Sequence, residues 1–181
     1  MVTKKCSRFN VGDWIIHYYH GIGQVKDVVE KGLVGNEKTF YKVSTEEIDY
    51  WIPIEDEDSE HLEPIRSKHD FEKALEILAS CPEPIGQHHK SRKRRIHDRW
   101  MDGDLMSRAK LMRDLNGRLK LEKLSYNEKQ VLEKVRQYYI NEWIIVDKNL
   151  TKAEAKKKIS KALNSGVRIA KNDRKQNKEN V

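Results

Sequence analysis

The chain has 181 residues, of which 37% are hydrophobic and 36% are charged. This composition favours two modest domains over one large core. No run approaches about 18 consecutive apolar residues, which argues against a membrane span. Residues 1–9 lack the apolar stretch of a signal peptide. Because Cys6 and Cys81 are far apart, we predict two reduced thiols in a cytoplasmic protein.

The formal net charge is +7, and it is unevenly distributed. Residues 1–64 contain 7 Lys and Arg against 13 Asp and Glu, whereas residues 65–181 contain 29 against 16. An acidic half joined to a basic half indicates two domains with different partners. The basic half suits a polyanion, because neutralising phosphates releases their counterions. The alternative is that its lysines and arginines only solvate helix surfaces.

Residues 1–64 contain short β-branched and aromatic runs separated by Gly and Asn turn signals. These runs predict a small antiparallel β-barrel. Pro53 is expected at a strand end or on a sheet edge, because proline cannot donate to a ladder. A turn is expected around residues 31–36, and the acidic run 55–58 is expected to be a solvated loop. The runs occupy residues 14–19, 21–25, 28–29, 39–43 and 50–54.

After Pro64 the apolar spacing becomes helical, which predicts a helical bundle over residues 65–163. The proline-containing segment 81–86 is interpreted as a linker after the first helix. The last helix is expected to be short, and residues 164–181 are predicted to be a disordered basic tail that adds non-specific attraction to DNA. Capping signals mark four helix starts, namely Ser67 with Asp70, Asp104, Ser125 with Glu128, and Thr151 with Glu154.

The basic segment 88–99 is the strongest local signal. On a helix, Arg92, Arg95 and Arg99 share one side, which can meet several phosphates at once. Ile96 and Trp100 would then hold this helix on its domain. The alternative is a solvated helix, which like-charge crowding disfavours. The cations of the segment are Lys90, Arg92, Lys93, Arg94, Arg95 and Arg99.

Catalysis needs a converging set of reactive groups, and the sequence offers none that stands out. Gly21 and Gly23 lack the third glycine and the following helix of a phosphate-binding loop. His17 and His20 are spaced like metal ligands but lack a second pair in register, so we interpret them as structural. His88 and His89 could in principle bind a metal ion, but their neighbours are basic and disfavour a bound cation. We predict no enzyme activity, no catalytic residue, no metal and no cofactor.

A series of motifs runs along the chain in a specific order. The first half contains FNVGDWIIH at residues 9–17, HGIGQV at 20–25 and YWIP at 50–53. The second half contains GD at 103–104, RDL at 113–115, LSYNEK at 124–129 and LEKVR at 132–136. With these motifs, nearly all of residues 8–163 resembles the CarD/CdnL family of bacterial transcription regulators.

The resemblance implies an α+β protein with a Tudor-like or SH3-like β-barrel followed by a helical domain. Residues 1–64 would bind the β subunit of RNA polymerase, partly by strand addition to a sheet edge. Residues 65–163 would meet promoter DNA at the upstream edge of the transcription bubble and modulate open-complex stability. The protein would be cytoplasmic and associated with the nucleoid.

The resemblance also implies roles for individual residues. Lys31 lies where the family often carries a basic polymerase contact, and Trp51 lies where some members have a second basic contact. Arg92 and Arg94 match DNA-facing positions. Lys129 matches a lysine that contacts the DNA backbone.

Some family members place a tryptophan just before the basic helix, where it wedges into the minor groove. Here His89 takes that position, with His88 beside it. An imidazole offers less stacking area than an indole, so the wedge would be weaker. The alternative for both histidines is an exposed linker.

Two other functions fit parts of the sequence. One is a non-specific nucleoid-type DNA-binding protein without polymerase contact. The other is a nuclease, which would need clustered carboxylates for metal ions. The acidic run 55–58 is the one dense cluster, and it lies in the acidic half of the chain. For the oligomeric state, a monomer and a strand-swapped dimer both remain open.

Overall fold

A computed structural model describes residues 7–17, 20–32, 38–56, 62–86, 88–102 and 104–179. The chain divides between Ile65 and Arg66 into two compact units. The first is a β unit and the second a helical unit, which confirms the predicted α+β class. Cys6, Gly103, most of the predicted turn at 31–36 and the second half of the acidic run 55–58 lie outside the described residues.

Within its described residues, the β unit forms one antiparallel sheet with the strand order β4-β3-β2-β1-β5. A single 3₁₀ turn follows β4 at Ile54–Asp56. Pro53 is the last residue of β4, an edge strand, as predicted. The strands are β1 (Trp14–His17), β2 (Gly21–Lys31), β3 (Lys38–Ser44), β4 (Asp49–Pro53) and β5 (Leu62–Pro64).

Alternating strand residues supply the core of the β unit. Ile15, Val25 and Tyr41 are fully buried. The Tyr41 hydroxyl also accepts a hydrogen bond from the Phe9 amide at 3.2 Å, which fixes the segment before β1. The remaining core members are Phe9, Val43, Ile52, Ile54 and Leu62. Strand β5 escaped prediction, because it has three residues and only Leu62 among them is apolar.

The helical unit starts where the capping signals predict. Ser67 and Asp70 form a reciprocal capping box, and Asp104 accepts from the amides of Met106 and Ser107. Ser125 and Glu128 form a second reciprocal box. The helices are α1 (Lys68–Ala79), α2 (His89–Met101), α3 (Leu105–Leu121), α4 (Tyr126–Val146) and α5 (Lys152–Glu179).

A single apolar cluster joins all five helices of the described part of this unit. Helix α3 packs against each of the other four. On α1 and α4, the rings of Phe71 and Trp143 stack with centroids 5.7 Å apart. The Tyr139 hydroxyl donates to the Phe71 carbonyl at 3.3 Å. Buried ring stacking and a satisfied hydroxyl together fix α1 on α4.

The prediction of a disordered tail from residue 164 is wrong, because α5 continues to Glu179. Val167 and Ala170 are buried and extend the apolar row begun by Ile159 and Leu163 at helical spacing. Gly166 lets α5 approach the end of α1, since a Cβ there would lie 2.2 Å from the Ser80 carbonyl oxygen. Val167 and Ala170 therefore continue the buried apolar row of α5, whereas Ile169 is 43% exposed.

Segment 81–86 is fixed to the bundle, so it is not the free linker that its prolines indicated. Ile85 is buried in the helical core. The Glu83 amide donates to Asp114 at 2.8 Å. Gly117 on α3 makes room for the segment, because a Cβ there would lie 2.3 Å from Pro82 Cβ.

Candidate nucleic-acid and polymerase interfaces

Helix α2 carries the basic segment, and its inner side attaches it to the helical unit. Ile96 is buried, and the Trp100 ring packs edge-on against Tyr138 with centroids 5.4 Å apart. The predicted apolar attachment through Ile96 and Trp100 is therefore confirmed. The same side also carries Arg92, Arg95 and Arg99, in keeping with their spacing.

These three arginines have intramolecular partners. Arg92 Nη1 donates to the Gly86 carbonyl at 3.5 Å, and Arg95 Nη1 donates to the Pro84 carbonyl at 2.9 Å. Arg99 pairs with Asp114 and lies 3.7 Å from a Glu83 carboxylate oxygen. Their predicted contacts with phosphates stay predictions, but their side of α2 faces segment 83–86 and acceptors on α3 and α4.

The Arg92 guanidinium also joins α2 to α4. Its Nε donates to Glu128 Oε1 at 3.0 Å, and both side chains are largely buried. The other Glu128 oxygen accepts from the Ser125 amide at 2.8 Å and so caps α4. Burial works to raise the pKa of Glu128, but hydrogen bonds from Ser125 and Arg92 outweigh it and lower the pKa. Glu128 is therefore a carboxylate in the folded protein at neutral pH.

A second ionic network lies between α2, α3 and segment 81–86. Asp114 is completely buried and accepts from Arg99 and, at 2.7 Å, from Arg113 Nε. Arg113 also lies 2.8 Å from Glu83 and donates to Ser80. The hydrogen bond and charge of Arg113 lower the pKa of Glu83. The acidic partners in this network offset the repulsion among the like charges of α2.

The outward side of α2 offers cations to solvent. Lys90, Lys93 and Arg94 are exposed. The Arg94 side chain is 86% exposed and makes only a loose pair with Asp98 at 3.8 Å. Lys129 is exposed in the first turn of α4. Exposed cations of this kind can reach phosphates without breaking the fold.

His88 and His89 lie at the start of α2. His88 is the N-cap residue but makes no side-chain capping bond, and both side chains are exposed. His89 lines a groove of about 340 Å³ between α2 and α4. The groove has an apolar floor at Ile96 and Val131. An imidazole that is both exposed and beside a groove is available for contact with a ligand.

Two cations of this groove had no predicted site role of their own: Lys93 was named only as a cation of the basic segment, and Lys134 only within a motif. Both line its walls together with His97. A signal for Lys93 was present, because it lies four residues after His89 and four before His97 on one side of α2. Lys134 could not be placed there, because its position opposite α2 depends on tertiary packing.

In the β unit, the two predicted polymerase contacts lie together. Lys31 Nζ is 3.7 Å from the centre of the Trp51 ring, a cation–π contact between β2 and β4. Trp51 is 45% exposed and lies on an edge strand. Neighbouring charges are paired, Lys38 with Glu55 at 3.1 Å and Lys42 with Asp49 at 3.6 Å. The result is an exposed aromatic ring next to charged side chains, on a strand that lies at the sheet edge in the described part of the unit.

His17 and His20 pack on each other and on Tyr50, with ring centroids 4.4 to 5.4 Å apart. The His20 amide donates to His17 Nδ1 at 3.3 Å. Burial raises the pKa of Tyr50 to about 12. Across the described ranges, no three His, Cys, Asp or Glu side chains come together in a way that could hold a metal ion.

The fold and the surfaces define a class of protein: a small β module with an exposed strand edge, followed by a basic helical bundle. Residues 9–65 match the family model described as the CarD-like/TRCF RID domain, and residues 73–160 match that of the CarD C-terminal domain. The chain belongs to the CarD/CdnL family. Members of this family are regulators of a non-enzymatic type that interact with RNA polymerase. None of the described helices has the length and apolar character needed to cross a membrane.

Proposed function

We propose that this protein regulates transcription initiation by binding the RNA polymerase β subunit and promoter DNA at once. The match of both units to CarD family models carries the proposal, because it pairs a polymerase-interaction module with the matching C-terminal domain. The protein would act in the cytoplasm, associated with the nucleoid, and would stabilise or destabilise the open complex without catalysis.

The β unit would supply the polymerase contact. Among the described residues β4 pairs with β3 alone, so its other edge could accept a strand, and the exposed Trp51 ring can pack on the partner. Lys31 lies over this ring and would position it. With Trp51 in place of a second basic contact, an aromatic packing contact would replace a charge pair, and Lys31 would supply the remaining positive charge.

The helical unit would supply the DNA contact. Lys90, Lys93, Arg94 and Lys129 are exposed and would meet phosphates, which gives little base preference. His88 and His89 would lie nearest the bubble edge. In this proposal Arg92, Arg95 and Arg99 act chiefly by holding α2 in place, through the partners described above.

The effect on initiation would be a population shift. A protein that binds open promoter better than closed promoter moves the equilibrium by the difference between the two binding free energies. A tenfold difference in affinity corresponds to about 1.4 kcal/mol. DNA bound to the helical unit and polymerase bound to the β unit would raise each other's effective concentration.

Open-complex lifetime on a bacterial promoter, with polymerase from the same organism, tests the proposal. We expect the protein to change this lifetime, and Trp51→Ala to abolish both that change and capture of the β subunit. Ile48→Ala is the matched control, because Ile48 is also an exposed apolar residue of the β unit. Retained DNA binding with no polymerase capture by the unmodified protein would contradict the proposal and favour a nucleoid-type DNA binder.

A further inference from the structure

Beyond the first turn of α5, where Glu154 is exposed three residues before Lys157, one side of the helix carries a row of cations. Six positions follow one another at intervals of four, three, four, three and four residues, which places them on one side of a helix with 3.6 residues per turn. All six are exposed, five are Lys or Arg, and one is Asn. We call this row the α5 stripe; it consists of Lys157, Lys161, Asn164, Arg168, Lys171 and Lys175.

The helical unit holds most of the α5 stripe in place. On another side of α5, Ile159, Leu163, Val167 and Ala170 are buried. Gly166 sets α5 against the end of α1, as the close approach to the Ser80 carbonyl shows. From Lys157 to Lys175 the stripe extends about 27 Å at 1.5 Å per residue. Its cations are therefore presented in a fixed row.

Charges on the other helices of this unit are commonly paired within their own helix. Arg94 pairs with Asp98, Arg118 with Glu122 and Arg136 with Glu133. Within the described ranges, no ion pair involves a cation of the α5 stripe. Like charges four residues apart destabilise a helix by about 0.2–0.5 kcal/mol per pair. A solvated surface usually alternates signs, so a row of one sign indicates an anionic partner.

We propose that the α5 stripe binds the phosphate backbone of double-stranded DNA, as a second DNA surface separate from the outward side of α2. The choice of DNA as the partner rests on the proposed function. The two helices have different main packing partners. Helix α5 packs most extensively against α1, whereas α2 packs most extensively against α3. Four of the five cations lie beyond residue 160, where the CarD C-terminal match ends. One DNA strand carries a phosphate about every 3.4 Å of axis, so the stripe is as long as about eight base pairs.

Equilibrium binding of the full chain to a fluorescent duplex, measured from low to high salt, tests this proposal. In the stripe variant, all five cations are replaced by Gln, which keeps a high helix propensity and an unbranched polar side chain. We expect its affinity to fall about tenfold or more at low salt and the slope of log K against log salt to become shallower by about 2 or more. A control variant replaces five other exposed cations by Gln, and so has the same net charge; they are Lys73, Lys110, Lys120, Lys123 and Lys148.

The proposal stands if only the stripe variant loses affinity and slope while both variants keep the urea midpoint of the parent protein. Equal losses in the two variants would overturn it, because net charge alone would then explain them. Unchanged DNA binding with reduced capture by polymerase would also overturn it and make the stripe a surface for an acidic protein. A third variant, Lys90→Gln with Lys93→Gln and Arg94→Gln, tests the α2 surface separately. If only that variant loses DNA, the proposed function stands without the α5 stripe.

Protection from acetylation locates the contact directly. We expect DNA to slow the labelling of Lys171 and Lys175 severalfold in the unmodified protein, while the exposed Lys110 and Lys123 label at their free rate. Equal labelling of all four lysines with and without saturating DNA would contradict the proposal.

Discussion

Arg92 Nε donates a hydrogen bond to Glu128 Oε1 at 3.0 Å and so ties the first turn of α2 to the first turn of α4. The two side chains are 13% and 8% exposed. Removing one member of a largely buried pair leaves the other charge without compensation, which costs about 3 kcal/mol. We expect Arg92→Met to lower the free energy of unfolding by about that amount, measured by urea denaturation followed by circular dichroism. A loss below about 0.5 kcal/mol would show that the pair does not hold α2.

Arg94→Met is the matched comparison, two residues along the same helix. The Arg94 side chain is 86% exposed, and its pair with Asp98 is long. We expect its stability to stay within about 0.5 kcal/mol of the parent protein, since exposed ion pairs contribute little. DNA affinity should fall in this variant and its salt slope should become shallower by about 1. Unchanged DNA binding would remove Arg94 from the proposed DNA surface.

Asp114 is the centre of the second ionic network, and its removal should be more damaging. It is completely buried between two arginines and also accepts the Glu83 amide. Asp114→Asn keeps the shape but removes the negative charge, so we expect destabilisation of about 3–5 kcal/mol. Asp98→Asn on α2 is the control, because that carboxylate is 60% exposed. Similar urea midpoints for the two variants would contradict a structural role for the network.

The sequence predicted local features well and long-range partners poorly. The capping boxes at Ser67 and Ser125 each depend on residues three apart, and both formed as expected. The basic face of Arg92, Arg95 and Arg99 was also identified correctly as one side of a helix. The partners of these arginines include Glu83 and Asp114, and only the tertiary fold brings these two carboxylates next to α2.

The prediction of a disordered tail in place of the end of α5 failed for a related reason. The few apolar residues after Leu163 are Val167, the adjacent Ile169 and Ala170, and Val181, and a polar, basic composition is typical of disorder. Val167 and Ala170 are buried because α5 packs against other helices of the unit, and the sequence alone does not show this packing. Tertiary burial thus overrode the compositional signal.

Gly166→Ala tests how closely α5 sits against α1. Alanine raises helix propensity by about 1 kcal/mol, which alone would stabilise α5. The added Cβ would lie 2.2 Å from the Ser80 carbonyl oxygen, so backbone must move, and overpacking costs about 1–3 kcal/mol. We expect a net loss of stability in urea denaturation. Asn164→Ala, at an exposed position two residues earlier, should be neutral or stabilising. A stabilised Gly166→Ala variant would mean that α5 is free to move away from α1.

Acid should weaken the helical unit through Glu83 and Glu128. Hydrogen bonding to Arg113 and the charge of Arg113 lower the pKa of Glu83 below its ordinary value of 4.5. For Glu128, burial raises the pKa, but hydrogen bonds from Ser125 and Arg92 outweigh it, so its pKa also lies below 4.5. The unfolded chain therefore binds more protons in this range, and the stability supplied by the two carboxylates is complete well above pH 4.5 and lost as pH falls through the folded values.

Glu128→Gln isolates one carboxylate, because glutamine resembles the protonated acid. At neutral pH we expect this variant to be less stable than the parent protein by about 2 kcal/mol, since it leaves Arg92 without its charge partner. The difference should shrink as the pH is lowered below 4.5, because the parent then becomes protonated at the same position. Urea denaturation at a series of pH values measures both curves. A difference that stays constant or grows in acid would show that Glu128 is not held as a carboxylate by Ser125 and Arg92.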